Sequence, residues 1–148
     1  MKTLVLILII CSLIQSTVLP FDLVLIILIC RSYISSDKSN LFLAFSFGLF
    51  NSVLNLTTLG LTSLVYLSLV AVTASLSKSR LAGNLLLIVP LNLFLLSIYQ
   101  LVLSFFLHQS LELFPNVLLE ALLSLPIVYL LKLWEVRFVA RKDIKLRI

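Results

Sequence analysis

Leu4-Val5-Leu6-Ile7-Leu8-Ile9-Ile10-Cys11-Ser12-Leu13-Ile14 is followed by Gln15-Ser16-Thr17-Val18-Leu19-Pro20-Phe21-Asp22 and then by Leu23-Val24-Leu25-Ile26-Ile27-Leu28-Ile29-Cys30. Two continuous apolar runs flank one short turn marked by a proline and an acid. Strands that present one face to water, or that line a membrane barrel, alternate apolar with polar residues. These runs do not alternate, so the stretch predicts a hairpin of two apolar helices. The same pattern of run and short polar separator repeats along the chain, which predicts helices at about 3–19, 21–36, 41–56, 60–77, 82–107 and 116–134. The separators are Pro20, residues 35–40, Thr57-Thr58, Lys78-Ser79-Arg80 and residues 108–115.

Composition points the same way. Of 148 residues, 61% are hydrophobic and only 11% are charged, with a mean hydropathy of +1.23. A soluble domain carries roughly 25% charge, so this alphabet cannot build a surface facing water. A helix crosses a bilayer with about 20 apolar residues, and six crossings would consume nearly the whole chain. The expectation is an all-α polytopic membrane protein with six transmembrane helices. A five-span chain with the second run re-entrant is the structural alternative. The second helix is short and contains Arg31, which can snorkel to a surface. The fifth contains Pro90, where a kink or tilt is expected. Met1 to Leu13 resembles a secretory signal, but a small-residue cleavage site is missing, and the segment is read as the first helix.

Basic residues set the orientation. With the start of the chain cytoplasmic, Lys2, Arg31, Lys38, Lys78, Arg80, Lys132 and the tail all fall inside, leaving Asp22, His108 and Glu112 outside. This is the positive-inside arrangement, with both ends in the cytosol. Residues 1–134 then form the helical bundle and 135–148 a basic cytoplasmic tail containing Arg137, Arg141, Lys142, Lys145 and Arg147. The tail is suited to an anionic lipid surface or to a cytoplasmic protein. The basic residues form no patch of the kind nucleic acid needs, so no nucleic-acid partner is expected.

Polar residues inside the apolar runs are the candidate sites, because they cost free energy in hydrocarbon unless partnered. Ala44, Gly48 and Ser52 recur every four residues, a seam of small side chains that allows close helix approach. Asn51 and Asn55 flank it. The face is expected to serve an internal helix contact or to receive a partner. In the last helix Asn116, Glu120 and Ser124 recur at the same spacing after Glu112, and Glu120 falls about 6 Å inside the span at 1.5 Å per residue. Asn92, Tyr99 and Gln100 share a face of the fifth helix and could satisfy Glu120 or line a small polar cavity.

Cys11 and Cys30 sit in apolar runs and are expected to be free packing residues. Catalytic motifs are missing: the chain has one histidine, no nucleophile elbow, no phosphate-binding glycine loop and no metalloprotease pair. No enzyme activity, metal or cofactor is expected.

Gln15-Ser16-Thr17, Pro20 and Asp22 at the first turn, Phe47-Gly48-Leu49 in the third run, and Leu59-Gly60-Leu61 with Tyr66 after it resemble the rod shape-determining protein MreD family of bacteria. Length, six-run hydropathy and the basic cytoplasmic end are similar too. Members commonly carry an acidic residue just after the glycine, where this chain has Asn51, Ser52 and Asn55. The resemblance implies a non-enzymatic scaffold of the cell-elongation machinery in the cytoplasmic membrane. Its implied partners are an MreC-like bitopic protein, an MreB-like filament, and RodA and penicillin-binding synthases of peptidoglycan. A rival expectation is a small-molecule-binding subunit resembling the substrate-capture component of vitamin transporters. The first helix lacks the alanine contact surface those proteins carry. A lipid-modifying enzyme is a third.

Overall fold

The computed structural model describes residues 2–18, 21–78, 85–107 and 114–138. Among them are six α-helices: α1 (Lys2–Thr17), α2 (Leu23–Ile34), α3 (Lys38–Leu54), α4 (Leu61–Ser77), α5 (Ile88–Leu107) and α6 (Phe114–Phe138). A 3-10 turn at Leu85–Leu87 leads into α5. The all-helical class follows from the uninterrupted apolar runs, as expected.

The core is built around α2, which packs against α1, α3, α4, α5 and α6. Its residues Val24 to Cys30 are all buried, which is why this run shows no polar face: a helix enclosed on every side must be apolar all round. Hydrogen bonds fix the register of its neighbours. Gln15 meets Asp22 and Val24 across the α1–α2 turn, whereas Ser32 Oγ donates to the Val70 carbonyl and Ser77 Oγ to the Tyr33 carbonyl. Therefore α2 and α4 run parallel, and α1 runs against both. At the same end as Ser77, Asn40 Nδ2 donates to the Ser35 carbonyl at 2.6 Å and closes the α2–α3 turn.

Helix α3 lies against α4 along the small-residue seam. Ala44, Gly48 and Ser52 are buried, and a Cβ at Gly48 would fall 2.5 Å from Ser63 Cα. Only glycine permits that approach. The seam expected either to pack internally or to receive a partner is thus occupied by α4 of the same chain. The loop that follows explains how α3 stops. Thr57 N–H donates to Ser52 O and Leu56 N–H to Val53 O, the paired bonds of a Schellman motif, with Leu56 at φ 52° in the position that ordinarily takes glycine. Gly60 restarts the chain at φ 96°, and Ser63 Oγ donates back to its carbonyl.

One expectation is corrected. Pro90 lies in the first turn of α5 rather than kinking it, because a proline there forgoes only an N–H that has no helical partner. The proline inside a helix is instead Pro126 of α6. Helix α6 runs on to Phe138 and so includes Glu135, Val136 and Arg137, the first residues of the expected tail. Two helical stretches, Ile88–Phe106 and Asn116–Arg137, are long and apolar enough to cross a membrane, and the apolar stretches Thr3–Thr17, Leu23–Ile34 and Leu61–Ser77 are shorter than a typical crossing.

Candidate functional site

The first turn and the adjoining helix ends gather most of the buried polar chemistry at one end of the bundle. Asp22, between α1 and α2, is the hub. Its Oδ1 accepts from Gln15 Nε2 of α1 and from Tyr66 Oη of α4 at 3.4 Å. Tyr99 of α5 reaches the same carboxyl, and its ring packs on Tyr66 with centroids 5.8 Å apart. From α3, Asn51 Nδ2 donates to Tyr66 Oη at 3.0 Å, and Asn55 Nδ2 donates to Asn51 Oδ1 at 3.1 Å. The Asp22 backbone N–H donates to Glu120 Oε1 of α6 at 3.3 Å, and Gln15 Oε1 accepts from the Val24 N–H at 3.2 Å. Helices α1, α3, α4, α5 and α6 are thereby tied to the turn that starts α2.

Each member occupies a position its own helix dictates. Leu4, Leu8, Ser12 and Gln15 form the buried stripe of α1, so Gln15 points inward at the end nearest the turn. Asn51 follows Gly48 by one turn and lies on the side of α3 that faces α4. Glu120, Ala121 and Ser124 form the inward side of α6, and Glu120 is only 1% exposed. Glu120 Oε2 is buried without a hydrogen-bond partner. Tyr66 is fully enclosed, so its hydroxyl must bond within the protein.

The remaining expected residues separate into distinct environments. Asn92 is buried but bonds Cys30 rather than Glu120: its Nδ2 lies 3.7 Å from Cys30 Sγ. Cys30 Sγ in turn lies 3.9 Å from the Ser124 carbonyl, and Ser124 Oγ donates to the Ala121 carbonyl within its own helix. Gln100 and Asn116 are partly buried and join none of these bonds. Ser16 is partly buried, and Thr17 is exposed with its hydroxyl on the Leu13 carbonyl. Cys11 and Cys30 are free thiols. Arg137 is exposed. Pro20, Arg80, His108, Glu112, Arg141, Lys142, Lys145 and Arg147 lie outside the described residues.

Sequence reading placed Asp22 and Tyr66 only in turn motifs, and grouped Tyr99 with Asn92 and Gln100 as a candidate partner of Glu120 rather than with Asp22. The available signal was the spacing of Gln15 and Asp22 across the proline turn, which puts an amide and a carboxyl at the same depth of a hairpin. Chemically the cluster combines two carboxyls, two phenols and three amides. Among the described residues no group of three or more histidine, cysteine or acidic side chains is placed to hold a metal ion.

Comparison of the chain with protein-family models, with curated proteins and with solved structures returned no match.

Proposed function

We propose that this chain is a multi-pass protein of the bacterial cytoplasmic membrane that serves as a non-enzymatic scaffold. The observation that carries the reading is an inverted polarity. Ser12, Gln15, Ser32, Asn51, Ser52, Thr62, Ser63, Thr73, Asn92, Glu120 and Ser124 are buried, while large apolar side chains on α1, α3, α4, α5 and α6 face outward, among them Leu6, Ile10, Phe42, Leu64, Phe94, Phe105, Leu119 and Leu130. Phe105 is 80% exposed. A water-soluble monomer rarely exposes apolar patches beyond a few hundred Å², whereas lipid tails solvate such a surface without cost.

All six helices are membrane-embedded in this reading. Helices of 16 and 17 residues, such as α1, α3 and α4, reach about 24–26 Å at 1.5 Å per residue. Local thinning of a hydrocarbon core of about 30 Å accommodates them. Helix α2 reaches only about 18 Å, yet its backbone is enclosed by protein, where a short segment at membrane depth is tolerated. Arg31, Lys38, Lys78, Lys132 and Arg137 belong to one end of the bundle and Asp22, Tyr66 and Glu120 to the other. The basic end is assigned to the cytoplasm and to its anionic lipid.

The motifs at Gln15-Ser16-Thr17, Asp22, Gly48 and Leu59-Gly60-Leu61 support the rod-shape scaffold as the cellular role, with an MreC-like protein, an MreB-like filament, RodA and penicillin-binding synthases as partners. Depleting the protein from a rod-shaped host is expected to give rounded cells, and affinity isolation of the tagged chain in mild detergent to recover those partners. Rod-shaped growth after complete depletion would count against this role while leaving the membrane reading intact.

A further inference from the structure

Asp22 and Glu120 approach each other at the end of the bundle remote from the basic residues. Among the described residues, the groups that face them are neutral: Gln15 from α1, the Val24 N–H from α2, Asn51 from α3, Tyr66 from α4 and Tyr99 from α5. The nearest cation along α2, Arg31, is nine residues away, about 13 Å at helical rise, and interacts with Asp37 and Glu135 at the opposite end. Glu120 is buried and Asp22 partly so; two adjoining ionised carboxylates without a cation repel strongly, and such pairs ordinarily retain a proton between them.

The two carboxyls are not equivalent. Asp22 receives donors from Gln15 and Tyr66, which stabilise a carboxylate. Among the described residues Glu120 receives only the Asp22 backbone N–H, and its Oε2, buried, has no partner. An ionised Glu120 would leave an uncompensated charge in an apolar interior.

We propose that Asp22 and Glu120 form a proton-binding site, in which one proton is shared by the pair and resides chiefly on Glu120, and that its release loosens the α1–α2 turn from α6. The site draws on the bundle geometry and not on the scaffold role. Two solvated carboxyls of these types release their protons near pH 4. The bound proton therefore contributes stability that is full below about pH 4 and declines as pH rises through the titration of the pair.

The test uses the full chain in nanodiscs of zwitterionic lipid, in choline chloride buffer, with infrared spectra and unfolding temperature followed across pH. The expected result is a protonated-carboxyl carbonyl band at neutral pH that is lost in one step on raising pH, with the unfolding temperature falling over the same interval. Glu120→Gln abolishes the band and flattens the pH dependence. Asp22→Asn removes the neighbouring charge and moves the titration toward acid by about one pH unit, a tenfold loss of proton affinity. A wild-type spectrum without the band at neutral pH overturns the proposal, even where Glu120→Gln fails to fold. So does an unmoved titration in Asp22→Asn. A midpoint displaced by sodium chloride at constant ionic strength also overturns it, in favour of a metal-cation site.

Discussion

Leu56 adopts φ 52° in a turn whose hydrogen bonds are those of a glycine-terminated helix, although it carries a branched side chain that is 93% exposed. The left-handed conformation costs a non-glycine residue about 1–2 kcal/mol, and this side chain gains little from packing in return. Leu56→Gly is expected to stabilise the protein by about 1 kcal/mol, read as a higher unfolding temperature in detergent; a lower one would mean that Leu56 is anchored by contacts its exposure does not reveal. Tyr66 illustrates the opposite case. Its hydroxyl accepts from Asn51 and donates to Asp22, so its polar atom is fully used, and its aromatic ring fills the core beside Tyr99. Neither role could be read from the sequence, where Tyr66 is one aromatic among fourteen phenylalanines and tyrosines.

Helix pairs show how small side chains set distance. The α3–α4 crossing rests on Gly48 beside the Ser63 backbone, and the four-residue recurrence of Ala44, Gly48 and Ser52 made the seam legible in advance. What the recurrence could not supply was the occupant. Because α4 fills the seam, Gly48→Ala must force the helices apart, with an expected loss of about 1–3 kcal/mol in unfolding measurements and no selective loss of one partner. Unchanged stability would show that α3 and α4 can separate freely at this point. Helix α2 was legible as apolar but not as central, since continuous hydrophobicity is equally consistent with a lipid-facing span and with a helix enclosed by five others. Likewise Pro90 and Pro126 are indistinguishable as letters; a proline disrupts a helix only where its N–H and ring fall beyond the first turn, and that depends on where α5 and α6 begin.

At the scale of the molecule, the bundle has one basic end and one end holding the Asp22–Glu120 cluster, with an apolar flank between them. Cysteines introduced at Lys38 and Lys78 are expected to be labelled by an impermeant thiol reagent only from the cytoplasmic side, in a background lacking Cys11 and Cys30. A cysteine at Leu59 is expected to be labelled only from the outside. Labelling of all three from the same face would be incompatible with the alternating arrangement. By itself the sequence determined that the chain is helical, that its helices are apolar and joined by short turns, and that its positive charge falls at alternate turns. Those properties are local, written in the run of side chains along one helix and the residues that interrupt it. The tertiary structure alone decided that α2 is the core, that the glycine seam belongs to α4, and that Gln15, Asp22, Tyr66, Tyr99 and Glu120 meet. Such meetings depend on the relative rotation and depth of helices far apart in the chain, and a polar residue in an apolar run specifies that it needs a partner without specifying which one.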